Sequence, residues 1–434
     1  MPLLPLRYSI ACLGLTALLL VSATQFAAQD EDSNAHSDAS SEDSDVTSDS
    51  VATNDSAATL DGDATAANND TAAMNNAATL HPVHRTSSYD PAEYARWLES
   101  AITAQGVPGV AVAIVSRDGV IHTQTWGVTS VEEPQQVTTD SVFRIASMSK
   151  TFAGAAATLL VNQQLQSWDA PLNDMLPGLR LGNRNTSSGI TLKHLASHST
   201  GLMPHSYSNL LDDGVEYEKV KERFHLIPTV CAPGKCYGYQ NVVFSLIGDV
   251  VESSTGNSYE NFLQEQLFKP LGMTTASVGL DAYQSHSNIT APHLKSRGRW
   301  RTTSINPAYY TVAPASGINA SVNDMSLWLR ANLGAFPEVL PSQVLNEMHS
   351  PVVSTPYGNY FNNWRGLERA HYGIGWRVLE YRGLQVVHHG GGVRGYRSEM
   401  ALVPEADIGL VILMNGESTV ANDVVPTFLD SLLP

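Results

Sequence analysis

Ser147-Met148-Ser149-Lys150 sets a hydroxyl and an amine three residues apart, where the chain turns helical through Thr151-Phe152-Ala153-Gly154. Positions i and i+3 project from one helix face, so the Lys150 amine can reach the Ser147 hydroxyl proton while Ser149 points elsewhere. A serine nucleophile needs such a base. Taken alone, S-x-x-K also describes a helix N-terminus with a solvated lysine, so the chemistry depends on what accompanies it.

The elements that must hold this pair can be read from periodicity. Asp90-Pro91-Ala92-Glu93 supplies an N-cap, a proline at the first helical position and an acid in the first turn. Tyr94, Trp97, Leu98, Ala101 and Ile102 then fall on one face of a helix. Val110 to Val115 and Val120 to Trp126 flank Ser116-Arg117-Asp118-Gly119, a hairpin signature. Near the other end Leu384 to Val387, Glu399 to Val403 and Gly409 to Met414 read as strands, and the middle is mainly helical, notably Thr151 to Gln164 and Val242 to Ser253. Strands at both ends and helices between predict an α+β fold: an antiparallel sheet built from both chain ends, with an inserted helical lobe.

Two more groups complete the pattern: Tyr239-Gln240-Asn241, preceded by Pro233-Gly234, and His389-Gly390-Gly391-Gly392 ahead of a strand. With Ser147 to Lys150, their order and separations resemble the penicillin-recognising (β-lactamase/DD-peptidase) serine hydrolases, in the class C β-lactamase-like branch. Further landmarks look similar: Phe143-Arg144-Ile145-Ala146-Ser147, Thr191 to His198, Lys269-Pro270-Leu271-Gly272-Met273, Ala315-Ser316-Gly317-Ile318 and Tyr372-Gly373-Ile374-Gly375-Trp376. The resemblance covers about 90 to 434. It implies that Ser147 is the nucleophile, that Lys150 and Tyr239 handle its proton, and that Asn241 holds Lys150 and substrate amide groups. It also implies an oxyanion site made by the backbone N–H groups of Ser147 and Gly392, where glycine lets backbone approach substrate. An ammonium near its reference pKa of about 10.4 is a poor base at neutral pH. Lys150 therefore needs burial or positive neighbours, unless Tyr239 acts as phenolate.

The antibiotic hydrolases of this family carry Lys-Thr-Gly where this chain has His389-Gly390-Gly391. Histidine, with a reference pKa of about 6.5, is mostly neutral at pH 7. The His-x-Gly form resembles that of the family's esterases and D-amino-acid peptidases. Arg394 could restore a fixed charge, or be a surface arginine on a turn. The expected activity is hydrolysis of an amide or ester through an acyl-enzyme, with a D-amino-acid-containing cell-envelope peptide, such as a peptidoglycan fragment, or a small ester as substrate. The alternatives are a true β-lactamase and a non-catalytic peptidoglycan- or penicillin-binding protein.

Other constellations have plainer readings. His194 and His198 stand at i and i+4, but no glutamate follows the first, so helix packing and capping are expected and no metal or cofactor is. Ser197 to Gly201 reads S-H-S-T-G, and the chain has no G-x-S-x-G elbow. Ser321-Val322-Asn323-Asp324 opens an N-capped core helix. The walls at 203–230 and 281–314 read as loops.

The chain has 434 residues and 25 basic against 42 acidic side chains, a net charge of −17. Twelve of the acids lie between Asp30 and Asp70 with no Lys or Arg among them; the remainder after Arg7 is near balance, 24 against 30. Nucleic acid is not an expected partner of the folded part. Arg7 followed by uncharged Tyr8 to Gln29, with Val21-Ser22-Ala23, reads as a signal peptide over 1–28 or, uncleaved, an N-terminal membrane anchor through 8–28. Either predicts export to the periplasm or cell envelope. Residues 29–86 contain no aromatic and are mostly Ala, Ser, Thr, Asn and Asp, so a disordered linker is expected before a hydrolase domain at 87–434. After cleavage only Cys231 and Cys236 remain, a short disulfide loop in an oxidising compartment or two free thiols.

Overall fold

Asp90 caps the first helix, α1 (Pro91–Gln105), by accepting the Ala92 N–H at 2.9 Å, and Gly106 ends it at φ +61°. The computed structural model describes residues 89–182, 189–356 and 358–433; the leader and linker expected at 1–28 and 29–86 lie outside the described residues. After α1 the strands are β1 (Gly109–Val115), β2 (Val120–Gly127), β3 (Phe143–Arg144), β4 (Ser277–Val278), β5 (His293–Ser296), β6 (Arg299–Thr302), β7 (Ile318–Ala320), β8 (Val353–Ser354), β9 (Leu367–Tyr372), β10 (Arg377–Tyr381), β11 (Leu384–Val393), β12 (Tyr396–Val403) and β13 (Ile408–Met414).

Eight of these form one antiparallel sheet in the order β2-β1-β13-β12-β11-β10-β9-β8. The first hairpin is therefore joined to the C-terminal meander through β1 and β13, whose seven residues each are all buried. Segments from near the two ends of the described chain thus pair within one sheet. One face packs on α1 and the helix Ala421–Ser431, through Leu98, Ile102, Ile412, Val424 and Phe428. The other packs on the helical lobe, whose central helix α2 (Ser149–Asn162) is buried from Ser149 to Leu160. Small residues let α2 approach its neighbours: a Cβ on Gly154 would lie 2.5 Å from the Ile374 carbonyl oxygen.

The helix expected over Val242 to Ser253 is two, Asn241–Phe244 and Leu246–Thr255, divided at Ser245, whose Oγ bonds the Asn241 carbonyl. His389 to Gly392 lie within β11, not ahead of a strand, because pairing from Val387↔Leu402 to Val393↔Tyr396 holds glycines that would not extend alone. The wall at 281–314 is not all loop; it contains the β5–β6 hairpin. Among the described residues no helix is long and apolar enough to cross a membrane.

Candidate active site

Ser147 sits on a short 3-10 turn, Ala146–Met148, that leads directly into α2. Ala146 has φ +50°, a left-handed conformation that costs a non-glycine residue on the order of 1 kcal/mol. Neighbours hold it there. The Ile145 N–H donates to the Ile318 carbonyl at 3.2 Å, and the Ile145 carbonyl accepts Ser398 Oγ at 3.0 Å. Gly391 of β11 lies flat against this turn, since any Cβ would run into the Ile145 oxygen and Ser398 Oγ.

Lys150 is fully buried one turn on. Its Nζ lies 3.3 Å from Ser147 Oγ, 2.8 Å from Asn241 Oδ1 and 2.9 Å from the Ala315 carbonyl oxygen. Burial, then the positive charge of Arg377, push its pKa well below the ordinary lysine value. A neutral amine has two hydrogens and one lone pair. Asn241 Oδ1 and the Ala315 carbonyl only accept and take both hydrogens, so the lone pair is left for the Ser147 hydroxyl. The Tyr239 hydroxyl donates to Ser147 Oγ at 3.0 Å, and burial raises its pKa against the opposing pull of Arg377 and of that bond. The surroundings thus favour a free amine and an un-ionised phenol.

Tyr239 is braced from behind by His198, whose ring centroid is 4.4 Å from the phenol and whose Nδ1 accepts the Gln240 N–H at 3.3 Å. His198 stands beyond the end of the helix Leu192–Ala196 at φ +55°, whereas His194 Nδ1 is turned to the Thr191 N–H. The two do not share the helix face that their spacing indicated. Cys231 and Cys236 are bonded, and their loop is tied to the His198 segment by Gly234 N–H to the Ser199 carbonyl and Gly238 N–H to the His198 carbonyl.

His389 lies inside β11 at the head of the His-x-Gly triplet. It is buried, and both ring nitrogens are engaged within the protein. Nδ1 lies 2.7 Å from the Gly390 carbonyl oxygen, which can only accept, so Nδ1 carries the proton and Nε2 accepts the Tyr372 hydroxyl at 3.0 Å. Burial, then the positive charge of Arg377, hold it well below the usual histidine pKa. Arg394 is exposed on the β11–β12 turn with Nε donating to Thr303 Oγ1 at 3.3 Å.

A fixed charge whose influence reaches Lys150 belongs to Arg377, which the sequence motifs do not include. It opens β10 immediately after Tyr372 to Trp376, a loop pinned on α2: Gly375 is at φ +73°, and a Cβ there would strike the Lys150 carbonyl oxygen. Half-buried, the guanidinium lies 4.5 Å over the Tyr360 ring, and among the described residues it makes no ion pair. Its charge bears on Lys150, Tyr239, Tyr237, Tyr372 and His389.

β10 pairs with β11 only as far as Arg377↔His388. Among the described strands, none covers β11 on that side from His389 to Val393. Across β12 the hairpin closes at Val393↔Tyr396 with a two-residue turn, so alternation directs the N–H and C=O of Gly392 and Gly390 to the uncovered side. Gly392 is exposed there, on the strand whose Gly391 touches the Ser147 turn.

A meander sheet whose uncovered strand faces a helical lobe is the β-lactamase/DD-peptidase architecture, and the same fold is found in an octameric penicillin-binding protein homologue from Pyrococcus abyssi, with a TM-score of 0.70 at 22% identity over 79% of this chain and 77% of that one. The chain belongs to the Beta-lactamase family, whose model matches residues 94–432. It is 26% identical to an unguisins hydrolase of Aspergillus campestris over 79% of this chain and 65% of that protein. It is 25% identical to Penicillin-binding protein 4 of Amycolatopsis lactamdurans over 75% of this chain and 86% of that one. With a D-aminopeptidase of Gluconobacter oxydans the identity is 28%, over 73% and 58%. The chain thus spans less than two thirds of the unguisins hydrolase and of the D-aminopeptidase.

Proposed function

We propose that this protein is an exported serine hydrolase of the class C-like, His-x-Gly branch, cleaving an amide or ester through an acyl-enzyme on Ser147. The observation that carries the reading is the Lys150 amine, buried and with both hydrogens engaged, 3.3 Å from the Ser147 hydroxyl. In this reading Ser147 Oγ attacks the carbonyl carbon as its proton passes to Lys150. The oxyanion is met by the N–H groups of Ser147 and Gly392, preorganised on a turn and a strand that touch. The proton then goes to the departing amine or alcohol, directly or through Tyr239, and water repeats the sequence to release the acid. A retained fold used only for binding has no need of a buried amine held between Asn241, the Ala315 carbonyl and the serine hydroxyl.

Arg377 narrows the substrate. A guanidinium without a carboxylate partner, beside an uncovered strand edge, suits a carboxylate-bearing ligand such as a D-amino-acid peptide with a free C-terminus. The neutral, fully engaged His389 provides no second charge for a β-lactam. The name of the D-aminopeptidase relative agrees with a D-amino-acid substrate. Labelling wild type and Ser147→Ala with a fluorophosphonate and a fluorescent penicillin tests the reading. Adduct on Ser147, with turnover of D-peptides or esters, is expected; no adduct and no turnover with either class would overturn it.

A further inference from the structure

In the β5–β6 hairpin, Leu294 faces Arg301, Lys295 faces Trp300 and Ser296 faces Arg299. Opposed residues share a face, so the ribbon is divided. The Lys295 and Trp300 side turns back onto α1, where both side chains donate to the Gln105 carbonyl, at 3.0 and 3.3 Å. The other side presents Arg299 and Arg301, and Arg297 stands at the tip at φ +50°. All three arginines are exposed, and with Ser296 they line a concavity of about 480 Å³.

Among the described residues none of the three makes an ion pair with a carboxylate. The acids at the hairpin's root are occupied or face elsewhere: Glu417 takes the Gly395 N–H at 2.7 Å, and the charge of Glu132 bears on His293. Like charges on neighbouring strand positions repel, and this chain is acidic overall, so the average composition conceals a local cluster that no ion pair among the described residues neutralises. The hairpin is also anchored to the catalytic sheet, because the His293 N–H donates to the Gly395 carbonyl at 3.2 Å and Arg394 bonds Thr303. Whatever it holds is kept beside the β11–β12 turn.

We propose that Arg297, Arg299 and Arg301 form a binding site for a phosphate-type oxyanion, separate from the Ser147 centre. Planar guanidinium forks bind phosphate oxygens bidentately, and three of them around one hollow fit a compact multivalent group better than the plane of a bilayer. A molecule bearing phosphate, bound there, is retained next to the hydrolase centre.

Calorimetric titration of the full chain with inorganic tripolyphosphate at low salt tests this. Binding should be measurable, should weaken as salt rises, and should fall at least tenfold in the triple variant Arg297→Gln, Arg299→Gln, Arg301→Gln. Turnover of a small ester should be unchanged in that variant, which also reports that it folds. A second variant, Arg297→Lys with Arg299→Lys and Arg301→Lys, should bind at an intermediate level, since it keeps charge and loses the fork. No binding by wild type, or equal binding by the glutamine variant, would overturn the proposal. So would arginine-dependent binding to phosphatidylglycerol vesicles without binding to tripolyphosphate, which would make the hairpin a membrane contact.

Discussion

Arg377 and His388 oppose each other across β10 and β11, and theirs is the last pair of that ladder on the side where the serine lies. The charge that bears on Lys150 therefore sits where the strand edge becomes free, the place where the proposed substrate would lie. Arg377 disfavours a proton on Lys150, so removing it must raise the lysine pKa. Arg377→Gln should move the acidic limb of kcat/KM to higher pH, with the plateau at alkaline pH less affected for a neutral ester than for a substrate carrying a carboxylate. An unmoved limb in the pH profile would separate Arg377 from the proton chemistry.

Ser147→Ala should abolish turnover and covalent labelling. Ser149→Ala should retain them and lose stability instead, because Ser149 Oγ accepts the buried Ile318 N–H at 3.1 Å. An orphaned buried donor costs about 1–3 kcal/mol, readable by denaturant titration. Mass spectrometry placing the adduct on Ser149 would reverse the assignment.

Esters or D-amino-acid peptides should be turned over much faster than penicillins or cephalosporins. The neutral His389, held by Tyr372, replaces a permanent cation, and a missing charged hydrogen bond costs roughly 1.5–3 kcal/mol, or about ten- to hundredfold in rate if the loss falls on the transition state. Steady-state kinetics on the two substrate classes decides it; cephalosporin rates equal to those of dedicated β-lactamases would contradict it.

Replacing both cysteines, Cys231→Ser with Cys236→Ser, should lower turnover severalfold while shifting Tm by only a few degrees. So short a loop restrains the unfolded chain by about 2 kcal/mol. Its influence is positional, since the loop leads straight into Tyr237 to Asn241 and is bonded to the segment of His198. Full activity in the double variant would leave the loop a purely structural role.

Gly391→Ala should cost more activity than Gly390→Ala costs relative to its own stability loss. At 391 the new methyl meets the Ile145 carbonyl and pushes β11 from the nucleophile's turn; at 390 it meets the Tyr360 hydroxyl and the Glu399 carboxylate on the far face. The ratio of kcat change to melting-temperature change distinguishes them.

Much of this was legible in the sequence because it is local. The cap at Asp90, the β1–β2 hairpin and the Ser147–Lys150 spacing each follow from residues within a few positions of one another. Three things were not. The length of β11 depends on β12, which holds glycines extended against their preference. Tyr372 and His389 meet only through the fold, so the histidine's neutrality could be anticipated from its reference pKa but its engagement could not. Arg377 had no motif of its own; its meaning comes from a loop pressed on α2, a contact between residues more than two hundred positions apart.

The uncovered side of β11 also bears on how the protein behaves in concentrated solution. A row of unpaired N–H and C=O groups is a template for any extended chain, including another copy of the same strand. Here that row is made of the N–H and C=O of Gly392 and the N–H of Gly390, in residues with little preference for strand structure and no side chains to interlock with a neighbour, which discourages self-association through the edge. Glycine at these positions thus makes the edge a poor seed for aggregation, and changing them to β-branched residues would expose the protein to that hazard even where the Ser147 turn could make room.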